Sequence, residues 1–265
     1  MKINNLTLGS DIEYFLRDKK TKEVVSAEGI IRGTKDEPFK FVAGNKFFAT
    51  SLDNVSAEGN IPPVKTAYEF YKNVAKLINY INATIPANLE AIAMPSARLD
   101  EKYLQTDNAK HFGCDPSWNC WTLEEIRPQP TGDNLRACGY HIHMGYDNPS
   151  EEANYALIKA CDLFLGVPSI LIEPENERKQ VGYGCAGNMR HTQWGAEYRT
   201  LSSFFSSNKR LITWTFKNTK KAVDFVNNNR INEIEGLGDI IQQTINNSNR
   251  ELAENLIKDF QINLV

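Results

Sequence analysis

Hydrophobic and polar positions alternate through residues 6–16, where Ile12, Tyr14 and Leu16 interleave with Asp11 and Glu13. A period of two is that of a strand with one apolar and one polar face. A charged turn at 17–22, a return strand at 23–30 and an apolar stretch at 39–48 broken by Ala43-Gly44-Asn45 predict antiparallel hairpins through the first third. The period changes after Pro62-Pro63. Tyr68, Phe70, Tyr71, Val74, Leu77, Ile78 and Ile81 recur at helical spacing, which predicts a helix of about five turns. Residues 89–94 form a short apolar run of strand length, 100–108 a polar connection, and 111–121 an irregular segment. The small and apolar residues 137–145 predict a buried strand. Asn148-Pro149-Ser150-Glu151 follows as a helix start, with Asn148 as cap and Pro149 at the first helical position, and that helix is expected to end at Gly166. A polar loop at 173–194 feeds a strand at 197–199. From Asn208 onward the pattern predicts two or three helices, with Leu211, Ile212, Trp214, Phe216, Val223, Phe225 and Val226 buried.

Strands and helices without strict alternation point to an α+β fold, an antiparallel sheet covered on one face by helices. With 265 residues, 41% of them apolar, the chain can fill a substantial core. Without a repeat or long linker it is expected to be one domain over 1–265, with a helical part from about 207. The net charge of −3, both signs interspersed, leaves no basic footprint for nucleic acid and no polybasic membrane patch. No apolar run approaches the roughly 18 residues of a membrane span, and Met1-Lys2-Ile3-Asn4-Asn5 lacks the apolar core of a signal peptide. A cytoplasmic location is the default expectation. The five cysteines, Cys114, Cys120, Cys138, Cys161 and Cys185, are odd in number and lack CxxC spacing, so reduced thiols are expected.

Three dyads of chemically active residues fall in segments that read as strands: Asp11-Ile12-Glu13, His141-Ile142-His143 and Glu197-Tyr198-Arg199. Residues i and i+2 share a strand face, so three such strands side by side would gather three carboxylates, two imidazoles and a guanidinium. That inventory suits a polyanion with a divalent cation. Each dyad has a plainer explanation as a solvated strand face, a core hydrogen bond or a cross-strand salt bridge. Glu58, with Asn54 or Asn60 as neighbours, is a further possible ligand or a turn residue. Gly182-Tyr183-Gly184-Cys185-Ala186-Gly187 matches GxGxxG formally, but the dinucleotide fingerprint needs a preceding strand and a following helix, and neither is predicted. The loop retains phosphate contacts as an alternative, with Arg178, Lys179 and Arg190 around it. Mainly carboxylate ligands favour Mg²⁺ or Mn²⁺, with zinc the alternative. Cys114, beside Asp115 and near His111, is a candidate thiol without an evident base.

Five blocks in order resemble the type 2 amidoligases of phiEco32-like phages, carboxylate–amine ligases with a glutamine synthetase-like fold. They are Gly9-Ser10-Asp11-Ile12-Glu13-Tyr14-Phe15; Asp53-Asn54-Val55 through Glu58 and Pro62-Pro63; Gly113-Cys114-Asp115-Pro116 with Trp121; Gly139-Tyr140-His141-Ile142-His143-Met144-Gly145; and Gly195-Ala196-Glu197-Tyr198-Arg199-Thr200-Leu201-Ser202. The resemblance implies a curved antiparallel half-barrel with helices on its outer face. It implies ATP-dependent amide-bond formation through an acyl phosphate, with Mg²⁺ or Mn²⁺. Carried over by position, Asp11, Glu13, Glu58, His141 and Glu197 are implied metal ligands, and His143 a ligand or nucleotide contact. Arg199, Glu197 and Arg190 are the implied catalytic groups; Arg178, Lys179, Arg190 and Asn60 join His143 as nucleotide contacts. Asn54, Asp115 and Arg136 are substrate candidates. The first strand carries Asp11 where many relatives of the wider fold have Glu, and Tyr140 is bulky where the family tends to glycine.

The implied partners are small-molecule or peptide carboxylates and amines, with the oligomeric state open. A metal-dependent hydrolase using the same acids and histidines, or an inactive binding protein of the same fold, are the competing expectations.

Overall fold

The computed structural model describes residues 2–110, 117–126, 134–174 and 177–265. His111, Cys114 and Asp115 lie outside the described residues. The first strand, β1 (Thr7–Asp18), pairs with β2 (Val24–Val25), and β3 (Phe39–Ala43), β4 (Lys46–Asp53) and β5 (Ser56–Val64) form successive hairpins before α1 (Ala67–Thr84). Short elements follow: β6 (Leu89–Ile92), β7 (Ser96–Arg98), α2 (Asp107–Lys110), β8 (Ser117–Asn119), β9 (Glu125–Ile126) and β10 (Leu135–Ala137). Then come β11 (Tyr140–Gly145), α3 (Glu151–Cys161), α4 (Val167–Ile172), β12 (Asn188–Thr192) and β13 (Gly195–Tyr198). The last part is helical, with α5 (Lys209–Asn227), α6 (Asn232–Glu235), α7 (Gly238–Asn246) and α8 (Arg250–Asp259).

The fold is mixed α+β around a large antiparallel sheet. Its strand order is β3-β4-β5-β1-β11-β13-β12-β8-β9, with β2 and β6 also paired to β1. Alternation on β1 decides the two faces. Leu8, Ile12, Tyr14 and Leu16 are fully buried in the main core with Ile142, Met144, Ala196 and Tyr198 of the neighbouring strands and Phe70, Leu77, Leu157 and Phe216 of the helices. The opposite face carries Asp11 and Glu13. Beyond Glu13 that second face is closed by a smaller cluster of Phe15, Val55, Leu99, Ala109 and Cys138. The seven residues expected to be buried on α5 are all in the core.

Several predicted boundaries shift for identifiable reasons. The return strand at 23–30 shrinks to Val24–Val25, because Ile30 and Ile31 both donate to the Ala27 carbonyl and close a turn. Ser150, rather than Asn148, caps α3: its hydroxyl accepts from the Ala153 N–H at 3.2 Å, and Asn148 sits at φ 49° outside the helix. Pro149 therefore precedes the helix. Gly166 does not end it either. A π-turn at Asp162–Gly166 joins α3 to α4, and a Cβ at Gly166 would lie 2.7 Å from Ile245 Cδ1 and 2.8 Å from the Tyr198 hydroxyl. Glycine there permits close packing. The continuous helix Glu151–Ile172 is long and apolar enough to cross a membrane by length and composition, but 78% of its most apolar 18-residue window is buried inside the protein, as in a core helix. The loop at 173–194 contains β12, which pairs with β13 as a hairpin. Among the described residues the cysteines Cys120, Cys138, Cys161 and Cys185 are free thiols, three of them buried.

Candidate active site

Strand register assembles the site. Asp11 lies opposite His141 and Asn60, Glu13 opposite Glu58, His143 opposite Glu197, and Glu197 opposite Arg190. Directly opposed residues of antiparallel strands share a face. Period-two alternation adds Arg199 two residues beyond Glu197. The polar side chains of five strands thus converge on the face away from the helices. A cavity of about 230 Å³ opens there, lined by Asp11, Glu58, Asn60, His141, Arg190 and Arg199 together with Lys35, Ser51 and Asp53.

The central contacts are short. His143 Nε2 is 2.7 Å from Asp11 Oδ1, and His141 Nδ1 lies 3.5 Å from the same oxygen and 3.6 Å from Glu197 Oε1. Arg199 forms a buried ion pair with Glu197, and Arg190 Nη1 approaches the other Glu197 oxygen at 3.9 Å. Gly139 makes room for His141, since a Cβ there would be 2.5 Å from His141 Nε2. The Trp194 ring, at the tip of the β12–β13 hairpin, lies 5.3 Å from that of His143.

Burial pushes the Asp11 carboxyl up, but His143 and His141 outweigh it and hold it well below the usual carboxylate range. His143 is raised correspondingly: burial alone would lower it, and Asp11 and Glu197 more than reverse that. Glu58 is driven well above its ordinary value by burial and by repulsion from Asp11, Asp53 and Glu13. Crowded, mutually repelling acids are relieved by a cation. Ligand atoms of Asp11, His143 and Glu197 all lie within 4.8 Å of one another, so two carboxylates and an imidazole fit a divalent metal. His143 is the imidazole of this cluster, while His141 lies 3.5 Å from the same Asp11 oxygen. Glu13, expected as a ligand, is outside this cluster, and its Oε2 accepts the Gly139 N–H at 2.6 Å.

Other expected site residues are placed elsewhere. Arg178 is buried and donates to the Thr200 and Leu201 carbonyls at 3.0 and 3.3 Å, so it braces the backbone just after Arg199 rather than facing the cavity. Lys179 donates to Ser248 Oγ at 2.9 Å and lines a separate cavity with Glu173 and Arg250; burial pulls its amine down to about 8. Asn54 sits in the β4–β5 turn at φ 54°, bonded to the Asn108 carbonyl and accepting from Arg136 Nε. Arg136 also donates to the Ala109 carbonyl at 2.7 Å, which makes it a strut under the turn as well as part of a narrow recess beside Glu13 and Asp53. The glycine-rich loop leads into β12 rather than a helix, and a Cβ at Gly184 would lie 2.5 Å from Arg178 Nη1. The loop packs on Arg178, and the dinucleotide geometry is not formed.

Sequence inspection missed Lys35, Ser51 and Asp53. Lys35 Nζ is 2.8 Å from Asp53 Oδ1, and burial together with Glu13 raises Asp53 to about 6 against the pull of Lys35. A signal existed: a hairpin centred on Asn54-Val55 pairs Ser51 with Glu58, which lies opposite Glu13, and period two puts Asp53 on the same face as Ser51. Lys35 carried none, since it comes from a loop.

Behind the sheet, Asp162 at the start of the π-turn is fully buried and holds three elements together. Its Oδ2 accepts from Trp121 Nε1 and the Gly187 N–H, each at 2.7 Å, and its Oδ1 lies 2.9 Å from the Tyr198 hydroxyl. Tyr198 sits between Glu197 and Arg199, and Gly187 immediately precedes β12, which carries Arg190. Asp162 thereby fixes from behind the strands that present the two arginines and Glu197.

Among curated proteins none matches the sequence. Of solved structures, the crystal structure of a bifunctional glutathione synthetase from Pasteurella multocida is similar at 10% identity and a TM-score of 0.40, over 97% of this chain and 49% of that one. This chain therefore spans about half the length of that neighbour. The model of the family described as Phage phiEco32-like COOH.NH2 ligase-type 2 matches residues 134–226, the segment that supplies His141, His143, Arg190, Glu197 and Arg199, so this part of the chain is similar to that family.

Proposed function

We propose that the protein is an ATP-dependent carboxylate–amine ligase that forms an amide through an acyl phosphate, with Mg²⁺, or Mn²⁺ in its place. The proposal includes one catalytic domain over residues 1–265 with a glutamine synthetase-like fold, its antiparallel sheet curved into a half-barrel. The observation that carries it is the polarity of the cavity. Across the sheet the strand order runs from Asp53 on β4 and Glu58 on β5, through Asp11 on β1, His143 on β11 and Glu197 on β13, to Arg190 on β12, and Asp53, Glu58, Asp11, Arg190 and Arg199 line the cavity. The family match supports carboxylate–amine ligation.

Asp11, His143 and Glu197 would hold the metal, which supplies positive charge against the phosphates of the nucleotide. Arg199 and Arg190 bind the terminal phosphoryl group and neutralise the charge spread over its oxygens during transfer. A substrate carboxylate oxygen attacks that phosphorus, the bond to the bridging oxygen breaks, and ADP leaves. The amine nitrogen then attacks the acyl carbon, phosphate departs, and the amine releases a proton. Glu58 and Asp53, at the acidic end, attract the ammonium form of this substrate. Arg178 and Asp162 keep the arginine-bearing strands in register.

Calorimetric titration with a non-hydrolysable ATP analogue tests the nucleotide half. Binding that needs Mg²⁺ and is lost in Glu197→Gln is the expected result, followed by ADP release when acids and amines are supplied together. Absence of nucleotide binding by a folded protein that still binds Zn²⁺ or Mn²⁺ tightly would overturn the ligase in favour of a metal hydrolase.

A further inference from the structure

The loop 33–38 contributes Lys35 and Pro38 to the wall of the proposed active-site cavity. Its base is fixed. Gly33 bridges to Pro38 and accepts from the Leu52 N–H at 3.0 Å, and Thr50 Oγ1 donates to the Arg32 carbonyl at 3.2 Å. Gly33 stands at φ 92°, and a Cβ there would lie 2.4 Å from the Phe39 nitrogen and the Thr50 oxygen, so glycine is what lets the loop run this close to β4. Above the base a turn is closed by the Thr34 N–H donating to the Glu37 carbonyl and the Glu37 N–H donating to the Thr34 hydroxyl, each at 3.1 Å. Lys35 belongs to that turn and carries its ammonium on a flexible four-carbon stem, with Nζ 2.8 Å from Asp53 Oδ1.

The two partners of this ion pair differ in their freedom. The Lys35 side chain is 42% exposed and that of Asp53 12%. Asp53 lies on the same face of β4 as Ser51, which is opposite Glu58, and Glu58 is opposite Glu13. Three carboxylates of neighbouring strands are therefore crowded on one face. Glu58 is near the Ser51 hydroxyl at 3.4 Å and is repelled by Asp11, Asp53 and Glu13. A wall of mutually repelling acids that already holds one ammonium is a receptor for ammonium groups, since carboxylate oxygens accept its N–H donors and added positive charge relieves the repulsion. Lys35 can swing out to water on its long stem, whereas the acids are fixed to the sheet. An incoming ammonium thus competes with a tethered one.

We propose that Lys35 occupies the amine subsite as an internal stand-in for substrate, and that the substrate amine is a primary aliphatic ammonium which displaces Lys35 from Asp53. An unbranched methylene chain ending in three N–H donors is what Lys35 itself presents there, so the subsite takes that chemistry in preference to a quaternary cation. Calling the displaced group a stand-in for substrate rests on the ligase reading; the competition at Asp53 does not.

n-Butylammonium reproduces the Lys35 side chain from Cβ outward. In ligand-observed NMR titrations of the metal-free full chain at constant ionic strength, it should bind Lys35→Ala at least about fivefold more tightly than the wild type, which must first break its own ion pair. Asp53→Asn added to Lys35→Ala should weaken that binding by about fivefold or more. Tetramethylammonium, of equal charge but without N–H donors, should show no saturable binding to Lys35→Ala. Circular dichroism confirms the fold of each variant. Equal affinity of the wild type and Lys35→Ala for n-butylammonium, no saturable binding by Lys35→Ala, undiminished binding after Asp53→Asn, or equal binding of tetramethylammonium would overturn the proposal. Failure of the ligase reading has a different signature, absent nucleotide binding with the ammonium competition intact.

Discussion

Replacing Asp162 by alanine and by asparagine separates its two contributions, hydrogen bonding and charge. The carboxyl is fully buried, and burial pushes it from 3.8 up to about 7 despite the donors of Trp121, Tyr198 and Gly187. At pH 5 the native state holds the proton and the unfolded chain has released it. Trp121 Nε1–H and the Gly187 N–H are donors only, so Asp162→Ala leaves two buried groups unpaired, a loss of about 2–6 kcal/mol. Asp162→Asn keeps an oxygen for both and offers its amide to the Tyr198 oxygen, so its loss at pH 5 should stay below about 1.5 kcal/mol.

The pH dependence has a definite sign. Between 3.8 and 7 the native state binds more protons than the unfolded state, so wild-type stability falls as pH rises, by about 1.4 kcal/mol per unit. From pH 5 to 8 the Asp162 contribution declines by about 3 kcal/mol and then flattens. Asp162→Asn has no such proton to lose and should overtake the wild type by about pH 6. Urea unfolding at a series of pH values, read by tryptophan fluorescence, gives both differences, with other titrating groups cancelling between the proteins. A wild-type-minus-asparagine difference independent of pH, or an alanine variant no less stable than the asparagine one, would refute the assignment.

Glu197→Gln removes a charged ligand from the Asp11–His143 cluster and should weaken Mn²⁺ binding by at least about tenfold in calorimetry; unchanged affinity would place the metal elsewhere. Lys35→Met removes the cation 2.8 Å from Asp53, so the Asp53 carboxyl, already raised to about 6, should titrate higher still by carbon NMR. A fall would contradict the ion pair. Gly166→Ala gains about 1 kcal/mol in helix propensity, yet its methyl meets Ile245 and the Tyr198 hydroxyl. Net destabilisation of about 1–3 kcal/mol is expected in urea unfolding, and a stabilised variant would show that the π-turn has room to spare.

Local pattern was enough for much of this protein. Alternation around Asp11 and Glu13 set which face of β1 is apolar, the 3.6 period marked α1 and α5, and the three dyads named Asp11, His141 and Arg199 of the cavity lining together with the Asp11, His143 and Glu197 cluster. These are consequences of side-chain direction within one element, which spacing alone determines. Residues whose roles depend on partners distant in sequence were not legible. Arg178 and Lys179 look like loop cations in sequence, but the chain turns one inward to the Thr200 and Leu201 carbonyls and the other toward Ser248. Lys35 reaches the site only because its loop crosses the β4–β5 hairpin, and Asp162, a single acid in a helical run, gains its role from Trp121, Gly187 and Tyr198. Those contacts exist only after the sheet has closed, since hydrogen-bond geometry and burial belong to the assembled structure and leave no period in the sequence.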